Sequence, residues 1–204
     1  MTNPMGIEIK SFEIIDSEMG THTFNEQELT VVKRTIHTTG DYDYKNIVHF
    51  NHAPIEKAIE SIKAGCHIVT DTKMAYAGIN KKALEKIGGS INCFIAEQAV
   101  YDIAKEKGIT RSMAAMDMAA KGGVDIFVIG NAPTALFRIG ELIKEKKVSP
   151  KLIIGVPVGF VGAAESKAYI REFDISSITT YGTKGGSNVA AAIVNALLYM
   201  VVER

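Results

Sequence analysis

The side chains able to do acid–base or ion-binding chemistry sit in glycine-punctuated stretches. His37 precedes Thr38-Thr39-Gly40-Asp41. An imidazole titrates near neutral pH, so a histidine followed by small polar residues and a carboxylate is a candidate proton donor and acceptor. Asp71-Thr72-Lys73-Met74, Gly130-Asn131-Ala132-Pro133-Thr134, Gly155 to Lys167 and Tyr181-Gly182-Thr183-Lys184-Gly185-Gly186-Ser187 each follow a short apolar run. Gly159 and Gly162 admit positive φ or close approach by a ligand, and the N–H groups of a helix opening after such a loop favour anions. Arg111, next to Ser112, and Lys184, between Gly182 and Gly185, are cations suited to meet a carboxylate; an ordinary solvated charge is the competing reading of each. His49 and His52 are three residues apart but lack a third ligand at sensible spacing, so no metal site is expected.

The glycines do not spell a nucleotide site. Gly155, Gly159 and Gly162 are spaced G-x-x-x-G-x-x-G where a dinucleotide loop needs G-x-G-x-x-G, and Lys184 precedes its glycine pair where a phosphate-binding Walker loop has lysine after the last glycine. The ligand expected is one with several negative groups, held by helix ends and local cations, rather than a dinucleotide or triphosphate.

Positioning such loops requires a particular architecture. Short apolar runs at 67–70, 90–94, 125–129, 152–156 and 177–181 alternate with helical patterns at about 81–87, 97–107, 111–121, 134–146, 163–172 and 187–202. That alternation predicts βαβ units: a mostly parallel five-stranded sheet in a three-layer α/β/α arrangement of flavodoxin-like order. All four segments, three of them glycine-bearing, then fall on the carboxyl edge of the sheet, and several helix N-termini point into one crevice. Upstream, residues 5–19 predict a helix. Asn25 with Glu28 three residues on, flanked by Phe24 and Leu29, predicts a capping box and staple that start a second helix, whose last turn holds His37. Pro54 opens a third, ending at Gly65. One domain over 1–204 is expected, a helical segment of about 1–64 packed on an α/β core of about 65–204. Met113, Met116 and Met118 suit core or interface better than a cofactor box.

Composition narrows the partners. Lys plus Arg and Asp plus Glu both total 23, so there is no global field to recruit nucleic acid or an anionic membrane. No apolar stretch is long enough to span a bilayer, and the isolated Cys66 and Cys93 suggest reduced, buried thiols in a cytoplasmic protein.

Taken together, Ser11-Phe12, Arg34-Thr35-Ile36-His37, Asp71-x-x-Met74, Thr110-Arg111-Ser112, Gly130 to Phe137, Gly155 to Lys167 and Gly185-Gly186-Ser187 resemble the precorrin-8X methylmutase family and its cobalt-precorrin-8 counterpart, in order and over nearly the whole chain. The resemblance implies a cobalamin-pathway isomerase that moves a methyl group on ring C of a tetrapyrrole by a 1,5-sigmatropic shift, giving hydrogenobyrinate or cobyrinate without a redox cofactor. It implies that His37 protonates the macrocycle near ring C, that Ser11 lies in the substrate site, and that the protein is a homodimer with the tetrapyrrole near its interface. Arg34, Asp71, Met74, Arg111, Asn131, Thr134, Gly159, Lys184 and Ser187 are the further substrate-binding candidates, and the form of 37–41 resembles the cobalt-dependent branch. The competing reading is a tetrapyrrole or anion carrier without chemistry, which gains nothing from an acid at a helix end.

Overall fold

Uncharged apolar runs can lose all solvent without leaving a charge unpaired, and they form the centre of the sheet. The computed structural model describes residues 4–203. Its strands are β1 (Val48–Asn51), β2 (His67–Thr70), β3 (Ser90–Asn92), β4 (Ile126–Ile129), β5 (Leu152–Gly155) and β6 (Ser177–Thr180), in the order β1-β6-β5-β4-β2-β3. Every residue of β4, β5 and β6 is buried.

The five parallel strands β2 to β6 have the flavodoxin-like order expected. The sheet nevertheless has six strands, because Val48–Asn51 adds an antiparallel edge to β6, with Val48 opposite Thr180. A four-residue run with half-buried positions gives too weak a period to distinguish from loop in the sequence. The first 63 residues therefore do more than pack on the sheet: they contribute a strand to it.

Strand alternation divides the interior into two cores. Ile68, Ile126, Val128 and Ile154 face one side, with α1 (Pro4–Glu18), α2 (Glu26–Thr39), α3 (Tyr44–Ile47), α4 (Pro54–Lys63), α5 (Lys73–Gly78) and α6 (Lys81–Lys86). Val69, Phe127, Ile129 and Ile153 face the other, with α7 (Gln98–Lys107), α8 (Arg111–Ala119), α9 (Pro133–Lys144) and α10 (Ala163–Arg171). Met116 is interior to this second core, and Met118 packs against it. The last helix, α11 (Ser187–Tyr199), returns to the first side, where α2, α4 and α5 pack on it. Apolar almost all round, α11 behaves as a buried core helix.

The amino end of α11 approaches the sheet too closely for any side chain to intervene. A Cβ at Gly130 would lie 2.6 Å from the Cα of Ser187, and one at Gly185 would lie 2.1 Å from the carbonyl oxygen of Val156. Gly185→Ala should accordingly lower stability by about 2–4 kcal/mol, a fall in Tm of roughly 5–15 °C. Gly88→Ala is the control: its φ of +71° strains alanine but nothing lies within 4 Å, so about 1–2 kcal/mol is expected. Thermal unfolding of both variants checks this, and a Gly185→Ala protein as stable as wild type would contradict the close approach.

Candidate active site

His37 reaches its position through local sequence signals. Asn25 accepts N–H bonds from Gln27 and Glu28 while the Glu28 carboxylate accepts one from the Asn25 N–H, so α2 starts at the expected capping box. Val31, Val32, Thr35 and Ile36 form its buried face, and Gly40 ends it in the left-handed region, donating its N–H to the Ile36 carbonyl at 2.8 Å. His37 is left exposed in the last turn. The Phe12 ring of α1 lies beside it, centroids 5.2 Å apart, and its ring nitrogens have no hydrogen-bond partner among the described residues.

Antiparallel β1 determines where that helix end goes. Because Val48 pairs with Thr180, the chain before β1 lies at the carboxyl end of the parallel strands, and the 40–47 segment joins the end of α2 to that edge. His37 there lines two clefts. The larger, of about 750 Å³, is walled by α1, α2 and one side of α11, and includes Ile7, Glu8, Arg34, Asn80, Asn188 and Asn195. The smaller, of about 270 Å³, includes Ser11, Ile14, Gly40 and Tyr42.

Arg34 and Ser11 thus lie on either side of His37, each lining one of its two clefts. Arg34 donates to the Glu8 carboxylate at 2.5 Å, its guanidinium sits 4.8 Å from the centroid of the Phe12 ring, and its Nε is buried without a partner. The Ser11 hydroxyl bonds to the Ile7 carbonyl at 2.8 Å. Three asparagines of the large cleft were not singled out from the sequence. Asn195 accepts from the Asn80 N–H and donates to the Gly78 carbonyl, both at 2.8 Å, so it ties α11 to the end of α5, whereas Asn188 is exposed in the first turn of α11. The signal was present: Asn188 and Asn195 are seven apart in a helix that is otherwise alanine and aliphatic.

The remaining candidates do not line the His37 clefts. Thr134 opens α9, and its hydroxyl accepts from that of Thr110 at 3.1 Å, next to Arg111. Arg111 donates to the Tyr101 phenol at 2.5 Å and stacks on that ring at 4.8 Å. Asn131 is exposed, Met74 is 69% exposed at the start of α5, and Gly159, at φ +151°, donates its N–H to the Thr183 carbonyl at 3.0 Å.

Three candidates have other roles than a direct rim contact. Asp71 is buried: its carboxylate accepts N–H bonds from Gly130 at 2.9 Å and from Asn131 and Ala132 at 2.8 Å. Burial pushes the carboxyl up while the three N–H groups hold it down. Asp71 therefore bridges β2 to the loop after β4, across the point where the strand order reverses. The turn opening α9, expected to offer its N–H groups to a ligand, already serves the protein's own carboxylate. Ser187 is also buried, its hydroxyl 2.8 Å from that of Thr72, the N-cap of α5. Lys184 is committed to Asp41 at 2.5 Å and Asp43 at 3.1 Å. Those bonds raise the lysine's pKa, and the bond from Lys184 holds Asp41 below the usual carboxylate range.

Lys167, in the long glycine-loop motif, is fully buried with neutral oxygens as partners: Thr180 Oγ1 at 3.1 Å and the Lys184 carbonyl at 3.0 Å. Burial, with Arg171 nearby, pushes its pKa down to about 8. Cys66 and Cys93 are buried free thiols, and burial raises Cys66 to about 11. His49 and His52 are not paired with each other: His49 Nδ1 lies 3.2 Å from the Tyr181 hydroxyl and His52 lies 3.5 Å from Asp174. Among the described residues no helix is long and apolar enough to cross a membrane.

Comparison with known proteins is consistent along the chain. The family model for precorrin-8X methylmutase matches residues 6–200. A cobalt-precorrin-8 methylmutase of Leptospira interrogans is 44% identical over 97% of this chain and 94% of its own length. That of Salmonella typhimurium is 44% identical over 98% and 97%, and a precorrin-8X methylmutase of Sinorhizobium is 34% identical over 92% and 90%. The crystal structure of the precorrin-8x methyl mutase from Thermus thermophilus superposes with a TM-score of 0.88 at 35% identity, covering 96% of this chain and 97% of that one.

The buried amine gives a pH signature. An unfolded lysine keeps its proton to near pH 10.5, while Lys167 in the fold loses it near 8. Between these values the unfolded chain binds more protons, so stability rises with pH. Relative to Lys167→Met, which cannot titrate, wild type should gain on the order of 3 kcal/mol in unfolding free energy between pH 7 and pH 10.5. Denaturant unfolding across that range measures the difference, and a constant offset would contradict the burial of a titrating amine.

Proposed function

This chain belongs to the precorrin-8X methylmutase family, a family of intramolecular transferases of cobalamin biosynthesis, and from that premise we propose that it shifts a methyl group between adjacent ring C carbons of cobalt-precorrin-8, with His37 as the proton donor and acceptor. The observation that carries the assignment is His37 itself: an exposed imidazole without a hydrogen-bond partner among the described residues, in the wall of a cleft of about 750 Å³. His67, by contrast, is bonded at both ring nitrogens, to the Gly123 carbonyl and to Asn92 Oδ1, and so is already occupied within the fold.

The chemistry needs little else from the protein. A proton lent to the macrocycle near ring C withdraws electron density from the π system, the methyl group crosses to the neighbouring carbon, and the proton returns to His37, so substrate and product are isomers. Proton transfer by a placed side chain is typically worth about 10²–10⁴ in rate. Arg34, Ser11 and Asn188 are the proposed contacts in the clefts. Arg111, Asn131, Thr134, Gly159 and Met74 are proposed for the substrate's outlying carboxylates along the edge, where Arg111 supplies a cation and Asn131 an amide. Asp71 and Ser187 support this surface from beneath. The form carrying cobalt is favoured because relatives named for it are 36–45% identical, against 34% and 35% for the Sinorhizobium and Thermus thermophilus proteins named for precorrin-8X.

We propose a homodimer as well. Ile7 and Ile9 of α1 are 48% and 55% exposed, with Ile7 at the mouth of the large cleft. A second subunit there would cover apolar surface and exclude water from a flat macrocycle. The buried free thiols suit a reducing, cytoplasmic setting.

His37→Ala should fold, dimerise and bind the coloured product within a few-fold of wild type, yet lose at least about a hundred-fold in turnover of cobalt-precorrin-8. His37→Asn, close in shape but without a useful proton near neutral pH, should be as slow. The visible spectrum follows the reaction directly, and turnover within a few-fold of wild type in either variant would remove His37 as the proton donor.

A further inference from the structure

Two lysines link the glycine loop after β6 to the end of the His37 helix. Lys167 enters from below, fully buried, and donates to the Lys184 carbonyl at 3.0 Å and to Thr180 Oγ1 at 3.1 Å; the Thr180 hydroxyl itself donates to the same carbonyl at 2.7 Å. The flanks of the loop are also bonded. Tyr181 N–H reaches the Ile47 carbonyl at 2.8 Å, the Thr183 carbonyl takes the Gly159 N–H at 3.0 Å, and Gly186 N–H reaches the Val156 carbonyl at 2.9 Å. From this fixed backbone the Lys184 side chain turns the other way, to Asp41 at 2.5 Å and Asp43 at 3.1 Å. Asp41 closes its own turn by accepting the Asp43 N–H at 2.9 Å, and its N–H meets Thr39 Oγ1 at 3.2 Å, in the last turn of α2.

We propose that Lys167 and Lys184 act in series as positioning residues for the methylmutase reaction: Lys167 fixes the Lys184 backbone, and the Lys184 ammonium, through Asp41 and Asp43, holds the end of the helix that presents His37. The proposal deepens the reading of His37 as proton donor. It also reassigns Lys184, whose charge is already met by two carboxylates, from binding substrate to aligning the acid. A buried amine facing neutral oxygens opposes stability, and an aliphatic side chain would fill the same space without that penalty. The ammonium adds a charge-assisted bond to a carbonyl that the Thr180 hydroxyl alone would hold by one neutral hydrogen bond, so Lys167 fixes the loop more firmly than an aliphatic residue could.

Hydrogen exchange and kinetics separate this proposal from its alternatives. In Lys184→Met and in the double variant Asp41→Asn/Asp43→Asn, exchange of the amides of residues 37–45 should rise about three- to ten-fold, as fits partly exposed ion pairs. Turnover should fall by a similar factor, and product binding should stay within about two-fold. Lys167→Met should loosen residues 181–187 as well, and Lys167→Met/Lys184→Met should be no slower than the worse single variant by more than about two-fold, because the two act through one link. Unchanged exchange at 37–45 in both Lys184→Met and the aspartate variant overturns the brace, and neither of those surface changes threatens folding. The brace is equally overturned if Lys184→Met weakens product binding while the aspartate variant, which frees the lysine, keeps full turnover: Lys184 would then be a direct ligand. If exchange rises but turnover in these variants stays at the wild-type level while His37→Ala is slow, the positioning role fails and His37 stands; if His37→Ala is not slowed either, the assignment of the proton to His37 fails.

Discussion

The Cα of Ser187 lies where a side chain at Gly130 would need to be, and the Val156 carbonyl lies where one at Gly185 would need to be. This contact of backbone on backbone seats the amino end of α11 on the carboxyl edge of the sheet, and the remainder of the site is arranged around it. With α11 seated there, its stripe of Asn188, Ala191 and Asn195 becomes one wall of the large cleft, α2 packs against it to form another, and Thr72 meets Ser187. A bulkier residue at either glycine would lift the helix by ångströms, and interiors packed at crystal-like density do not absorb such a shift without loss.

Electrostatically the edge is more self-sufficient than its glycine loops suggest. The turn before α9 is filled by the Asp71 carboxylate, α10 carries Glu165 in its own first turn, and Lys184 answers to Asp41 and Asp43. An overall balance of 23 basic and 23 acidic residues is thus also a local one. Groups left exposed along the edge and the cleft include the amides of Asn131 and Asn188, the Lys73 ammonium and Arg111 stacked on a tyrosine, and these are the ones the proposed polyanionic substrate would meet. Specificity built this way comes from shape and amide hydrogen bonds as much as from charge, which suits a large macrocycle better than a phosphate.

Much of this was legible before any coordinates. The capping box at Asn25, the period of α2 and the stop at Gly40 put His37 in a final turn, and five apolar runs separated by helices gave the parallel strand order. Three short elements were not legible, for a common reason. β1, α3 and α5 are four to six residues long, too short for a period to emerge, and they exist because of what they pack against. The role of Asp71 depends on a loop 59 to 61 residues away in sequence, and an aspartate after a strand reads the same whether it faces solvent or its own backbone. The antiparallel edge matters most for function, since it places the 40–47 segment on the edge that carries the glycine loops.

On the function proposed above, the methyl group moves in front of His37, in the cleft between α2 and α11. A crystal structure of the wild-type protein with the corrinoid product bound tests it most directly. Ring C should face His37, with an imidazole nitrogen within about 3 Å of the macrocycle's proton-accepting atom or one water away from it, and the peripheral carboxylates should run along the carboxyl edge toward Asn131 and Arg111. A product seated instead beside Arg111 and Tyr101 with ring C turned away from α2, and His37 facing only solvent, would contradict it.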